Sequence, residues 1–293
     1  MDRGPPLRAI VKPSTDLKIL RQLFGLDRTR ILALGSLMFP YFDPNVVLII
    51  IYPYLHSTTR GHRQRDLGVS VLNLRYLQLH IDSNGTANDN IIQSYEFQFT
   101  RQHVIDDFFH FGDVELVINK KTAEEMMWKI NDLIRDRPYV LISFDNCGRE
   151  IVLQRSRRRP VYCLNLFSLA RQVLPLPYHF SLGQLCDWLG VPSMDRKSAG
   201  NCSRFAMHAV LRLAAKDWQL RIQNKQITPT PEMRQTISSL GAITRAWKLP
   251  SREVDYSLKL LFEDAFEEPD EPQDMYEMVM IRGRPIARRP KLR

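Results

Sequence analysis

Long apolar runs are missing from this 293-residue chain. The strongest, Val46 to Ile51, falls far short of the ~20 residues a membrane-spanning helix needs and has the length of a buried strand. No apolar stretch follows the charges of Met1-Asp2-Arg3-Gly4-Pro5-Pro6, so the N-terminus does not read as a signal peptide. A cytoplasmic or nuclear location and no membrane partner are therefore expected. Cysteine is scarce: Cys147, Cys163, Cys186 and Cys202. They form no C-x-x-C pair and no His-x-x-x-His accompanies them, so no zinc motif is present and buried thiols are the expectation. P-loop, G-x-S-x-G and Gly-rich dinucleotide signatures are also lacking, which removes the common nucleotide-binding and serine-hydrolase chemistries. Acid is absent from the last stretch, where Arg282, Arg284, Arg288, Arg289, Lys291 and Arg293 stand together.

What is present is an ordinary globular composition, 44% hydrophobic and 25% charged, enough for a substantial core. The net charge of +9 favours polyanions. Basic residues cluster at Arg60, Arg63 and Arg65, and again at Arg155, Arg157, Arg158 and Arg159. Each cluster reads either as a solvated loop or as a nucleic-acid contact. The basic tail reads as a localisation signal or a binding arm. It follows an acidic block running from Glu263 to Asp274.

The pattern divides into an N-terminal arm with a short helix (1–39), an α/β domain (40–225) and a helical extension with the acidic block and a basic tail without fixed structure (226–293). Leu17, Leu20, Leu23 and Phe24 predict a helix over 16–26. Val46 to Ile51 predicts a central strand buried on both faces and bounded by Pro44 and Pro53. Further strands are predicted at 67–79, 91–99 (alternating through Tyr95, Phe97 and Phe99), 139–144 and 161–166. Thr122 with Glu125 predicts a capping box for a helix to Arg135. Short helical turns are expected around Glu150 to Gln154. Ser181 caps a helix that Gly190 ends, a long helix fills 198–218, and helices are plausible at 232–247 and 252–262. The fold class expected is a mixed five-stranded α/β sheet with helices on both faces.

Five segments in this order resemble the RNase H-like 3′–5′ exonucleases of the DEDD type. The likeness is greatest to the C-terminal domain of the fungal family called "good for full DEAD-box protein activity", over residues 40–218. In that family a first strand ends Asp-x-Glu; here it runs Val46 to Tyr54. A second reads like Glu-Ile-Gly-Val; here it is Asp66-Leu67-Gly68-Val69. A fourth ends near Gly-His-x before an Asp that opens a helix; here the stretch is Leu141 to Glu150. Ser181-Leu182-Gly183-Gln184-Leu185-Cys186-Asp187-Trp188-Leu189-Gly190 matches Ser-Leu-x-x-Leu-Cys-x-x-Leu-Gly. Lys197-Ser198-Ala199-Gly200-Asn201-Cys202-Ser203 stands where the family has His-x-Ala-x-x-Asp-Ala.

The resemblance implies a two-metal phosphodiesterase site built from clustered carboxylates, and this chain departs from it. Tyr52 and Tyr54 stand at the Asp-x-Glu positions, Lys197 at the His, Cys202 at the last Asp, and Arg149 near the helix-opening Asp. Asp145 and Glu150 are the carboxylates left nearby. Phenols and a thiol are poor magnesium ligands, so no catalytic residues, no metal and no cofactor are expected. Blander readings stay open: the tyrosines cap a strand end, and Asp145 is a turn residue. Lys197 could instead place an ammonium where metals once sat. The expected function is an inactive exonuclease-fold module binding nucleic acid, RNA ahead of DNA, or an RNA-processing protein. A protein-binding scaffold and a nuclease with displaced ligands are the alternatives. Oligomeric state is not legible.

Overall fold

A computed structural model of the chain describes residues 15–26, 45–57, 63–82, 91–99, 109–112, 114–134, 137–144, 159–193, 198–246, 277–281 and 284–288. The chain divides into two compact units, Met1–Pro250 and Ser251–Arg293. In the first, β1 (Val47–Ser57), β2 (Arg63–Asn73), β3 (Ile92–Phe99), β4 (Val114–Leu116), β5 (Tyr139–Ser143) and β6 (Tyr162–Asn165) form one sheet. Its order is β4-β3-β2-β1-β5-β6. The β1–β2 and β2–β3 pairs are antiparallel, whereas β3–β4, β1–β5 and β5–β6 are parallel. This is an α/β RNase H-like sheet: a three-stranded meander whose first strand continues into parallel strands on its other side. It has six strands rather than the expected five, because the short β4 extends the edge beside β3.

The apolar run at the start of β1 is continuous because both faces of that strand are covered. Val47, Ile49 and Ile51 pack against Met126, Met127, Ile130 and Ile134 of α3 (Lys120–Ile134). Leu48 and Ile50 face the opposite layer, which includes Phe205, Val210 and Leu213 of α6 (Ala199–Gln223). Burying each such side chain contributes roughly 1.5–3 kcal/mol. α1 (Thr15–Leu23), α4 (Leu166–Val173) and α5 (Leu182–Leu189) belong to the α6 layer. α7 (Pro231–Ala246) adds Leu240 and Ile243 to it. α6 is therefore surrounded, and its polar groups need partners inside the protein. Asp217 finds one in Arg21 of α1, at 2.7 and 2.8 Å through two guanidinium nitrogens.

Three local expectations are revised and one is borne out. The segment 67–79 is not one strand: β2 ends at Asn73, whose side chain accepts from the Arg75 N–H at 3.0 Å and starts α2 (Leu74–Asp82). Leu74, Leu77 and Ile81 are buried at helical spacing. Pro53 does not end β1, which runs on to Ser57. Past Ile51 β1 has no β5 neighbour, because β5 stops at Ser143, and a proline is tolerated where one side of a strand is open. α3 starts before Thr122, with Asn119 as its cap. Asn119 Oδ1 accepts from the Thr122 N–H, and Thr122 Oγ1 accepts from the Asn119 N–H. The reciprocal box is present, shifted by one turn from the Thr122–Glu125 reading. The Ser181 cap is as read, with Gln184 completing the box and Gly190 ending the helix at φ 65°.

In the second unit, β7 (Glu277–Ile281) and β8 (Arg284–Arg288) pair antiparallel. The helices expected at 150–154 and 252–262 fall outside the described residues. Among the described residues no helix is long and apolar enough to cross a membrane.

Candidate functional site

The site forms where three rows of paired residues cross the α6 face of the sheet. Residues directly opposite in antiparallel strands share a face, so the register defines each row. The first is Ile50–Ser70–Ser94, the second Tyr52–Gly68–Glu96, the third Tyr54–Asp66–Gln98. One step back, Leu48–Leu72–Ile92 is wholly apolar. The face thus turns from apolar to polar as β1 approaches its C-terminal half, and the N-terminus of α6 is laid over that polar end.

Gly68 permits this approach. A Cβ there would sit 1.8 Å from the Ala199 carbonyl oxygen and 2.7 Å from the Gly200 nitrogen. Gly200 is equally constrained, since a Cβ on it would meet the Phe109 ring at 2.5 Å and Glu96 Oε2 at 2.9 Å. The orphan N–H groups of the first helical turn then find acceptors. Glu96 Oε2 accepts from the Gly200 N–H at 2.9 Å and from the Ser198 hydroxyl. Gln98 donates to Glu96 Oε1 at 3.2 Å. Glu96 is only 1% exposed, and an anion at a helix N-terminus is favoured by the dipole. Hydrogen bonds to such a charged acceptor each contribute about 1.5–3 kcal/mol. Behind them Ser70 Oγ lies 2.8 Å from both Ser94 Oγ and Ser203 Oγ. Asn201 Oδ1 accepts from the His110 N–H at 3.1 Å.

Of the expected site residues, Tyr52, Tyr54 and Cys202 come together here. Tyr52 and Cys202 line one partly open cavity of about 150 Å³. Its other walls are Ser181, Leu182, Gly183 and Cys186 of the α5 segment, with Ser193 and Phe205. Tyr54 lies close enough to Cys202 and Asp66 to respond to both. Burial pushes its phenol up from the ordinary 10.0, and charge on Cys202 and on Asp66 pushes the same way. At neutral pH it is an uncharged hydroxyl. Cys163, Cys186 and Cys202 are thiols, with Cys202 only 2% exposed.

Asp145, Arg149, Glu150 and Lys197 lie outside the described residues, as do Arg60, Arg155, Arg157 and Arg158. The described neighbours of Asp145 and Lys197 do reach the site. Phe144 approaches Tyr52, with ring centroids 6.4 Å apart, and Ser198 caps α6. Arg159 is exposed just before β6. Arg63 and Arg65 stand opposite Ser57 and Leu55 at the far end of β2.

Sequence reasoning missed Asp66, Glu96 and Gln98. Among the described residues no three His, Cys, Asp or Glu side chains are grouped to hold a metal ion. The described residues fit a magnesium pair poorly. Tyr52, Tyr54 and Cys202 offer no hard anionic oxygen at neutral pH. The carboxylate of Glu96 already spends its oxygens on Ser198, Gly200 and Gln98. No family model matches the chain, and no curated protein matches it.

Proposed function

We propose that the first unit is a catalytically inactive RNase H-like module that binds nucleic acid, RNA ahead of DNA. The observation that carries this reading is the convergence of Tyr52, Tyr54 and Cys202 along the C-terminal half of the central strand. In exonucleases of the family this chain resembles, that position holds the metal-binding carboxylates. Phenol, phenol and thiol cannot screen two divalent cations about 4 Å apart. Binding does not need the metals. The net charge of +9 and the arginine clusters at 60–65 and 155–159 in the sequence favour a polyanion without them. Of these, Arg159 is solvent-facing. Among the described residues a nuclease with displaced ligands would have Asp66 or Glu96 to recruit, and Glu96 is committed to the α6 terminus.

The test is a titration of fluorescent single-stranded RNA with the full chain in magnesium, with the RNA resolved on a gel afterwards. Binding that weakens with salt, with intact RNA, is expected. Chelator-sensitive trimming overturns the inactivity, and salt-independent absence of binding overturns the nucleic-acid reading in favour of a protein-binding scaffold.

A further inference from the structure

We infer that the cavity between Tyr52, α5 and α6 is a binding site for one neutral heteroaromatic ring of pyrimidine size. The inference deepens the nucleic-acid reading and rests on it, since it names the part of the polymer the site would take: a single exposed base rather than a backbone phosphate.

Size comes first. A cavity of about 150 Å³ matches an engineered protein cavity of that volume that holds benzene, so one six-membered ring fits and a fused bicycle overfills it. Chemistry comes second. Leu182, Phe205, Cys186 and Cys202 give apolar and polarisable walls, and among the described residues that line the cavity none is a Lys, Arg, Asp or Glu. Among these described residues a phosphate would meet no cation. The lining is not wholly apolar either. Ser181 Oγ accepts from the Gln184 N–H at 3.2 Å as the α5 cap, and accepting leaves its own hydroxyl proton able to donate into the cavity. A ring carrying a carbonyl or ring-nitrogen acceptor would use that donor, and a plain hydrocarbon would not. The surroundings come third. An aromatic series starts at the chain neighbour of the wall residue Ser181: Phe180 stacks on Phe167 at 4.2 Å and meets Trp188 edge-on at 5.8 Å. Trp188 is 47% exposed, so the series ends on a solvent-facing indole. Aromatic faces of this kind hold bases without regard to sequence.

The experiment uses the full chain and ligand-observed NMR with uridine, cytidine, adenosine, ribose 5-phosphate, benzene and p-cresol. Uridine and cytidine should bind saturably at about 1 mM, adenosine about tenfold more weakly, and ribose 5-phosphate not at all. Gly183 contributes only backbone to the wall, so Gly183→Val should fill the space and abolish uridine binding. Ser181→Asp keeps an N-cap acceptor but has no hydroxyl proton to donate, and should weaken uridine at least about fivefold with α5 intact by circular dichroism. It keeps the test decisive if Gly183→Val does not fold. The proposal is overturned by no uridine binding up to about 10 mM, by competition from ribose 5-phosphate, or by benzene or p-cresol binding more tightly than the nucleosides. RNA bound by a chain that ignores uridine defeats this pocket and leaves the nucleic-acid reading standing. Uridine bound by a chain that ignores RNA does the reverse.

Discussion

Replacing Gly68 by alanine should separate α6 from the sheet. The added Cβ would lie 1.8 Å from the Ala199 carbonyl oxygen, where ordinary contact begins at 3.4 Å. The gap must open by about 1.6 Å, and both sides are backbone, so no side-chain rotation can relieve it. Overpacking of this kind costs about 1–3 kcal/mol. Moving α6 also pulls the Gly200 N–H and the Ser198 hydroxyl off Glu96, which strands a buried carboxylate for another ~1–3 kcal/mol. A total near 2–6 kcal/mol is a large part of a typical domain's stability. The assay is urea denaturation of the full chain, in which the midpoint should fall by roughly 1–3 M. Gly190→Ala is the control: its φ is positive, at 65°, but nothing lies within 4 Å of an added Cβ. It should cost only the left-handed penalty, ~1–2 kcal/mol. If Gly68→Ala is no worse than Gly190→Ala, α6 is not seated on β2 and the site geometry is wrong.

Two further perturbations probe the α6 layer. His208 is fully buried in α6, and burial first, then Arg204 and Arg212, hold its imidazole down to about 3 from the ordinary 6.5. The unfolded chain therefore takes up a proton that the folded one refuses. Stability from this group is complete above about pH 6.5 and declines as pH falls toward 3, by at most ~1.4 kcal/mol per pH unit. His208→Gln should flatten that part of a denaturation-versus-pH profile, and an unchanged slope would mean the imidazole is not shielded. Arg21 and Asp217 have side chains only 11% and 8% exposed, so Asp217→Ala should cost about 3–5 kcal/mol by leaving a buried guanidinium alone. The double change Arg21→Met with Asp217→Leu should recover most of that loss in thermal melts; equal loss in both variants would count against a buried pair.

The central strand and the capped helices were legible because each rests on local chemistry. Six consecutive apolar residues need cover on both faces, and Ser181, Gln184 and Gly190 carry a complete start and stop signal. The site was only half legible. Tyr52, Tyr54 and Cys202 could be named because their spacing follows a known motif order. Glu96 could not. In β3, Tyr95, Phe97 and Phe99 alternate with Ser94, Glu96 and Gln98, a pattern that ordinarily puts the polar set in water. Here the polar set is the more deeply buried one, because the N-terminus of α6 supplies donors that only the tertiary fold can bring. Gly68 gave no sign of its role for the same reason: its constraint comes from Ala199, 131 positions away in a chain whose register was not yet known. The break of the second strand into α2 was missed because Leu77, Leu79 and Ile81 alternate as in a strand while Leu74, Leu77 and Ile81 keep helical spacing, and the Asn73 cap decides between them.

The most direct measurement of the central claim is RNA binding and RNA integrity in one experiment, across a series of salt concentrations with magnesium present. The predicted result is a logarithmic binding constant that falls linearly with the logarithm of salt, with the RNA full-length at every point and no change on adding chelator. Shortened RNA that chelator protects would contradict it, and so would the absence of binding at the lowest salt.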